Sequence, residues 1–402
     1  MRAETAVRAA YQEHGQLPDG WRRLRNKVFM REVNRPSVHG SEEMLSVSHL
    51  TGVTPRSEKT VYMFEAESTV GYKLVKPGDP AINTMWAWMG AAGVSRVDGI
   101  VSPAYGVYEI DQDRIDPRWV DHVIRAPHYV EYMTRFSRGV TSSRLRLYPD
   151  EFLRMEMVIP PLDEQRTIAD FLDTETARID ELSAKYELAE QLSTERWRVV
   201  TARLLSSACS QHGTVPLKRV TACLDSLRVP LSSEERHSRQ GPYPYFGAST
   251  VVDHVDDYLF DEELVLLGED GAQLLDPFFA VSQVVRGKCW VNNHAHVLRP
   301  TGFDAELLSF HLNTFDRVPF ISGSTRPKIT QDDMGAIPVP HVGPDEQRRL
   351  RAEISSARET LLRLNESIGR QIRLLVERKQ ALITAAVTGQ LDVARQIAED
   401  AS

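Results

Sequence analysis

Apolar residues recur at steps of three, four and seven along two long stretches of the chain, and the positions between them are mostly polar. They are Ile168, Leu172, Ile179 and Leu182 in the first stretch, and Leu350, Ile354, Leu361, Leu364 and Ile368 in the second. This spacing places the side chains on one stripe of a helix, as in the seam of a coiled coil. We therefore predict two long helices, over 163–212 and 344–389, that pair with each other.

The two stretches are copies of one another. The phrase Asp-Glu-Gln-Arg occurs at 163–166 and again at 345–348, and the same shift of 182 positions (345 minus 163) brings Glu195-Arg196 onto Glu377-Arg378 without a gap. Each copy begins just after proline and carries two acids in its first turn, where the helix dipole favours negative charge. Two such copies are expected to pair about a pseudo-twofold axis, as the halves of a symmetric dimer do.

The regions before the two helices are also similar in layout. Short apolar runs such as "ELVLLG" and "HAHVLRP", broken by Gly, Pro, Asn and Asp, are typical of strands and turns. We predict a mixed α/β (α+β) fold with two globular domains separated by two long helices. The expected boundaries are an N-terminal segment 1–16, a first domain 17–162, a helix 163–212, a second domain 213–343, a helix 344–389 and a tail 390–402.

Composition narrows the class of protein. At 402 residues the chain is longer than one hydrophobic core usually organises. A net charge of −8 argues against a protein that coats nucleic acid indiscriminately, although a local basic surface is compatible with it. The three cysteines are scattered and the longest apolar stretch, 84–94, is too short to cross a bilayer. We expect a cytoplasmic protein without a membrane partner.

Three motifs carry a resemblance to a known family: "IPPLDEQRTIADFLD" at 159–173, "AIPVPHVGPDEQRRLRAEI" at 336–354 and "ERKQALITAAVTGQLDV" at 377–393. With them the chain resembles the specificity subunit of type I restriction-modification systems along nearly its whole length. The resemblance implies two target-recognition domains, each reading one half of a split sequence in double-stranded DNA. It also implies that the two helices form an antiparallel coiled coil that separates these domains.

The resemblance further implies which partners supply the chemistry. The chain would have no cofactor and no catalysis of its own. It would bind two adenine methyltransferase subunits, which use S-adenosylmethionine, and the full complex would add restriction subunits that use ATP and Mg²⁺.

Two loops are the candidates for DNA contact, at 135–146 and 322–331, each just before the last strand of its domain. Both combine glycine, hydroxyl and basic residues, and these types fix a protein on phosphates and read base edges. The candidate residues are Arg135, Arg138, Thr141, Ser142, Ser143, Arg144, Gly323, Ser324, Thr325, Arg326 and Lys328. A solvated loop of ordinary composition is the alternative.

Other patterns are weighed against simpler explanations. His294 and His296 alternate on a predicted strand, and a packing role is favoured over a metal site. For Trp86 and Trp88, packing in the interior is favoured over stacking on a flipped base. A purely coiled-coil scaffold is disfavoured by the two sizeable domains.

The rival class is a metal-dependent DNA endonuclease acting on its own. Pro344-Asp345 followed by Glu377-Arg378-Lys379 matches a loose nuclease pattern. Carboxylates of such a site must converge on one ion, whereas these lie at opposite ends of one predicted helix. The chain also has neither a phosphate-binding Gly-Lys-Ser/Thr loop nor an Asn- or Asp-Pro-Pro-aromatic methyltransferase motif.

Overall fold

A computed structural model of the chain describes residues 17–58, 68–139, 145–323 and 325–400. The chain forms two compact units, which comprise Met1–Ala184 with Gln371–Ser402, and Lys185–Arg370. Each unit therefore combines one globular domain with a part of both long helices. None of the described helices is both long and apolar enough to cross a membrane.

The domain of the first unit is built from short antiparallel strands. They are β1 Arg22–Arg25, β2 Met30–Glu32, β3 Leu45–Ser48, β4 Gly52–Pro55, β5 Lys73–Val75, β6 Pro80–Ile82, β7 Ala92–Val94, β8 Gly99–Val101, β9 Gly106–Ile110 and β10 Glu156–Ile159. One four-stranded sheet has the order β2-β9-β6-β7, and β1 pairs with β10, β3 with β4 and β5 with β8. Pairing of β1 with β10 closes the domain, because these are its first and last strands.

Helices cover the core of the first unit. They are α1 Pro117–Arg125, α2 Pro127–Phe136, α3 Pro149–Arg154 and the start of the long helix α4, Leu162–His212. The first three begin at proline, whose fixed φ and missing N–H suit the first helical position. Trp119 and Tyr129 are fully buried in a core that also contains Ile168 and Leu172 of α4. The long helix is therefore part of the domain core over its first turns.

The second unit repeats this plan. Its strands are β11 Thr214–Pro216, β12 Thr221–Cys223, β13 Gln240–Phe246, β14 Val251–Val255, β15 Phe260–Asp261, β16 Leu264–Gly268, β17 Ser282–Val285, β18 Lys288–Val291, β19 Ala295–Pro300 and β20 Pro338–Pro340. Its helices are α5 Ser233–Ser238, α6 Ala305–Thr314, α7 Gln331–Ala336 and the second long helix α8, Pro344–Val387; the short helix α9, Val393–Asp400, lies in the first unit. Leu205 of α4 and Leu350 and Ile354 of α8 belong to the core of this unit.

Sheet topology shows that the domains are internal repeats. The order β12-β19-β16-β17 matches β2-β9-β6-β7, and the pair β11-β20 matches β1-β10. The second domain has in addition the sheet β14-β13-β18-β15, in which β13 and β18 are parallel. The predicted fold class is confirmed: two α+β domains and two long helices in an internal repeat.

The long helices run antiparallel in each unit. In the second unit Ser193 Oγ lies 2.8 Å from Asn365 Oδ1, and His212 Nε2 lies 4.0 Å from Glu346, so later residues of α4 meet earlier residues of α8. In the first unit Lys379 Nζ lies 2.6 Å from an Asp180 carboxylate oxygen. The predicted pairing of the two stripes is thus present as contacts in both units.

Two of the expected seam residues are off the seam. Ile168, Leu172, Ile179, Leu350, Ile354 and Ile368 are buried and Leu361 is half-buried, whereas Leu182 is 41% and Leu364 47% exposed. The step after Ile179 is four rather than three, so half-buried Ser183 occupies the stripe, and Asn365 does the same after Leu361. The expectation for the two leucines was wrong because polar residues occupy the seam there.

Candidate nucleic-acid interface

The two loops proposed for DNA contact are closed in the same way. In the first unit Arg138 and Arg146 form an isolated antiparallel bridge, and Leu147 N–H donates to Thr84 O at 2.9 Å. In the second unit the corresponding bridge joins Ser322 to Lys328, and Ile329 N–H donates to Glu269 O, also at 2.9 Å. Each loop is therefore fastened at the end of the equivalent strand, β6 or β16, although the loop sequences differ.

Two basic side chains of the loop in the first unit, Arg135 and Arg138, are already paired. Arg138 forms an ion pair with Glu151, and Arg135 with Glu131 one turn earlier on α2. Thr141, Ser142, Ser143 and Arg144 lie outside the described residues. The described arginines are exposed to a third or more, so phosphate could compete with the carboxylates for them.

In the second unit the candidate cations belong to a charge network. Lys328 Nζ lies 2.8 Å from Glu269, and Arg326 Nη2 lies 2.9 Å from Asp270. Gly323 has a φ of +87°, a conformation that favours glycine, and its Cβ would lie 2.6 Å from Arg326 O. Thr325 is exposed and Ser324 lies outside the described residues. The carboxylates hold both basic side chains at the mouth of the loop.

Beneath these cations lies a cluster of Asp225, Arg228, Glu269 and His296, in which Glu269 and His296 are buried and the other two are half-buried. Arg228 donates to Glu269 at 2.6 Å, and His296 lies 2.6 Å from Asp225 through Nδ1 and 2.9 Å from the Ile329 carbonyl through Nε2. Burial alone would raise the pKa of Asp225, but hydrogen bonds from His296 and the Val297 N–H outweigh it and lower that pKa. Burial opposes ionisation of Glu269 too, and hydrogen bonds from Lys328 and Arg228 leave its pKa lowered.

The ligand atoms of Asp225, Glu269 and His296 lie within 4.8 Å of one another. Both ring nitrogens of His296 nevertheless face oxygen acceptors, and Arg228 supplies the positive charge between the two acids. Both ring nitrogens are therefore already within hydrogen-bond distance of protein oxygens. The network joins Asp225, Arg228, Glu269 and His296 by hydrogen bonds and ion pairs, and Glu269 in turn pairs with Lys328.

A cleft of about 440 Å³ opens beside this network in the second domain. The polar side chains that line it include Arg236, Gln273, Asn292, Asn293, His294 and Arg326, together with Asp270 and Tyr245. Asn and Gln amides match the edge of adenine, and Arg matches guanine. Sequence reasoning missed Gln273, Asn292 and Asn293, because only the fold brings the β16–β17 and β18–β19 connections together.

Gln165 and Gln347, in the repeated phrase, are buried joints between domain and helix. Gln165 Oε1 accepts from Asp116 N at 2.9 Å, and Nε2 donates to Pro160 O at 2.9 Å and Arg114 O at 3.1 Å. Gln347 repeats the pattern: its Oε1 accepts from Asp304 N at 2.7 Å, and its Nε2 donates to the carbonyls of Val342 at 3.0 Å and Gly302 at 3.1 Å.

Asp116 and Asp304 are the N-caps of α1 and α6. Each glutamine thus holds the first turn of a long helix against the loop that starts a domain helix. Their place in a repeated phrase was the available signal for this role.

The carboxylates of the nuclease pattern do not form a site within either unit. Asp345 and Glu377 are both exposed on α8 and belong to different units, and Lys379 is paired with Asp180. The structure gives no support to the endonuclease alternative.

Comparisons with known proteins agree with the resemblance described from the sequence. Residues 224–372 match the family of the type I restriction modification DNA specificity domain. The chain is 34% identical over 126 residues to a type I restriction enzyme specificity subunit of Haemophilus influenzae, covering 31% of this chain and 32% of that protein. It is 27% identical over 155 residues to the EcoKI specificity subunit of Escherichia coli, covering 34% and 31%. The chain thus spans about a third of the length of these curated relatives.

Solved structures match over much more of the chain. A chain from a structural study of complex assembly and conformational transition of the type I R-M system has a TM-score of 0.69 at 16% identity, with 94% of this chain and 100% of that chain covered. The HsdS subunit of Thermoanaerobacter tengcongensis has a TM-score of 0.52 at 18% identity, with 94% and 99% covered. At these identities the likeness establishes the fold.

The fold and the candidate interface together define a class of protein with two α+β domains, each attached to a pair of long helices. Residues 224–372, in the second domain and α8, match the model of the type I restriction modification DNA specificity domain, and the resemblance of the chain to type I specificity subunits is confirmed.

Proposed function

We propose that this chain is the DNA-recognition subunit of a type I restriction-modification complex, in which each domain reads one half of a bipartite site in double-stranded DNA. The observation that carries the proposal is the equivalent closure of the two loops, by the Arg138–Arg146 and Ser322–Lys328 bridges. Two domains of one topology with different loop side chains suit two half-sites of different sequence. In the second domain, Asn292 and Asn293 are proposed to read base edges from the cleft.

Paired cations favour selective binding. Because Glu151, Asp270 and Glu269 neutralise Arg138, Arg326 and Lys328, these three side chains contribute little to non-specific attraction to the DNA backbone. Phosphates at the correct site must replace these carboxylates, which happens where base contacts add to the binding free energy. The net charge of −8 acts in the same direction.

In this proposal the two helices set the spacing of the half-sites and, together with the adjoining domain edges, bind two adenine methyltransferase subunits. Catalysis belongs to the partners: S-adenosylmethionine binds to the methyltransferase, and ATP and Mg²⁺ bind to the restriction subunits. The antiparallel pairing of α4 and α8 within each unit supports this role, because it presents an equivalent helix surface twice.

Substitution of the loop cations tests DNA contact. Lys328→Ala and Arg326→Ala, in the complex assembled with its partners, should each lower affinity for the cognate site and reduce the salt dependence by about one phosphate contact. Arg286→Ala is the matched control: Arg286 is also paired with acids, and it follows β17 at the opposite end of the strand pair β16-β17. Unchanged affinity and salt slope in both loop variants would reject DNA contact by this loop.

Mapping of N6-methyladenine tests the half-site assignment. In a genome that expresses the complete system we expect one bipartite motif, and exchange of 17–159 for the domain of a relative should change one half only. If a domain exchange altered both halves, the assignment of one half-site to each domain would be incorrect.

A further inference from the structure

Each domain exposes large apolar side chains on one connection of its four-stranded sheet. We call residues 83–91, between β6 and β7, apolar loop 1, and residues 269–281, between β16 and β17, apolar loop 2. The exposed side chains are Met85, Trp86 and Met89 in apolar loop 1, and Leu275, Phe278 and Phe279 in apolar loop 2, at 36% to 61% exposure. Trp86 is half exposed, so the expectation that it packs in the interior was wrong. The two loops are topologically equivalent, because β6-β7 corresponds to β16-β17.

Internal contacts hold both loops in one conformation. In apolar loop 1, Trp86 and Trp88 stack at 6.2 Å between ring centres, and Trp88 Nε1 donates to Met85 O at 2.9 Å. In apolar loop 2, Arg317 donates to carbonyls of Leu274 at 2.7 Å and of Asp276. Arg317 is only 4% exposed, so a buried guanidinium fixes a segment whose phenylalanines face solvent. Surface apolar groups that are ordered in advance are typical of binding sites, since less entropy is lost on association.

Apolar loop 2 connects the candidate DNA interface with the long helix. At its start Asp270 pairs with Arg326 and its backbone bridges to Lys328. At its other end Arg198 of α4 donates to the carbonyls of Pro277 and Phe278 and lies 5.5 Å from the centre of the Phe278 ring. Apolar loop 1 likewise starts at Thr84, which accepts from Leu147 at the end of the DNA-contact loop. A partner seated on these loops would lie next to the bound DNA.

Charge favours a protein over DNA as the occupant. Neither loop contains lysine or arginine, and apolar loop 2 contains Glu269, Asp270 and Asp276. Phosphate finds no cationic side chain within either loop, whereas clustered aromatic and methionine side chains are enriched at the centres of protein interfaces.

We propose that apolar loops 1 and 2 are docking surfaces for the two adenine methyltransferase subunits, one subunit on each loop. This inference rests on the proposed function, which requires two copies of one partner close to the two half-sites. Two loops of unlike sequence and common apolar character at equivalent positions suit two copies of the same partner surface.

Native mass spectrometry of the chain co-expressed with its methyltransferase tests the proposal. The variant pairs are Leu275→Asp with Phe278→Asp, and Trp86→Asp with Met89→Asp. Wild type should bind two methyltransferase subunits, each variant pair one, and all four changes together none, with the affected site weakened on the order of 30-fold or more. The matched control is Val251→Asp with Val252→Asp, because these valines are similarly exposed on β14 of the second domain; it should retain two subunits.

The outcomes separate the two levels of the proposal. If wild type fails to bind two methyltransferase subunits, the proposed function fails and the docking inference fails with it. If wild type binds two and the loop variants also bind two, the docking inference alone is overturned; loss of DNA affinity in such fully assembled variants would assign the loops to DNA. Amide hydrogen exchange on wild type needs no substitution: residues 275–281 should be protected in the assembled complex, and unchanged exchange there overturns the inference.

Discussion

Replacement of the buried glutamine in the repeated phrase is a direct test of how each domain is attached to its helix. We consider Gln165→Met, because methionine has nearly the same length and volume and so leaves little cavity. The substitution removes all three hydrogen bonds of the Gln165 amide, to Asp116 N, Arg114 O and Pro160 O. Gln165 is fully buried, so these backbone groups have limited access to water.

A buried polar group left without a partner costs about 1–3 kcal/mol. Three such groups give an upper range of about 3–9 kcal/mol, and partial relaxation and non-additivity favour its lower end. We therefore expect the free energy of unfolding to fall by about 3 kcal/mol, a factor on the order of 100 in the folding equilibrium. With a urea m-value of about 2–3 kcal/mol/M, the midpoint should fall by about 1 M.

Urea unfolding followed by circular dichroism is the assay, and Gln347→Met should give a loss of similar size. Arg166→Met is the matched control from the same phrase. Arg166 is exposed, and its ion pair, at 3.6 Å to the likewise exposed Asp163, is a surface pair, so the free energy of unfolding should change by no more than about 0.5 kcal/mol. If both glutamine variants unfold at the wild-type midpoint, the joint is not a source of stability and the reasoning from its hydrogen bonds is refuted.

Three further predictions concern the seam and the charge network. Leu182→Glu should change the urea unfolding midpoint little because Leu182 is exposed, whereas Ile179→Glu should lower it strongly because it buries a charge. Equal effects of the two substitutions would refute the assignment of Ile179, and not Leu182, to the seam. Asn365→Ala removes the partner of Ser193 and should cost about 1 kcal/mol, whereas no measurable loss in the same assay would show that this polar seam contact is not stabilising. The lowered pKa values of Asp225 and Glu269 mean that their stabilisation is present at neutral pH and is lost as the pH falls below about 4 through the folded-state values. Stability should therefore fall less steeply between pH 5 and pH 3 in Asp225→Asn than in wild type, and identical slopes would contradict this.

Features that depend on local pattern could be predicted from the sequence. The apolar stripes and the repeated Asp-Glu-Gln-Arg phrase predicted two helices that pair, and α4 and α8 are present with contacts such as Asp180–Lys379. The apolar pattern predicted the wrong seam residue at Leu182. The residue that occupies the seam there, Ser183, is polar, whereas the adjacent Leu182 is apolar. A pattern of apolar residues cannot distinguish a step of three from a step of four where the seam itself is hydrophilic.

Features that depend on tertiary contacts could not be predicted. The loops 135–146 and 322–331 were identified by composition, but the partners of Arg138 and Lys328, Glu151 and Glu269, lie elsewhere in the sequence. The side chains of the cleft come from connections that are distant along the chain. Exposure of Trp86 follows from how its connection leaves the sheet, which the apolar character of the segment does not reveal.

The chemistry of the glutamine joint explains why one phrase can serve two different domains. All three partners of Gln165 are backbone groups, and so are all three partners of Gln347. Backbone N–H and C=O groups are available whatever the side chains of the domain are. A joint of this kind places few demands on the sequence of the domain it holds, so the loops of the two domains can differ while the attachment to the helix stays the same. The repeated phrase is therefore common to both halves of this chain, whereas the closing loops differ between the halves.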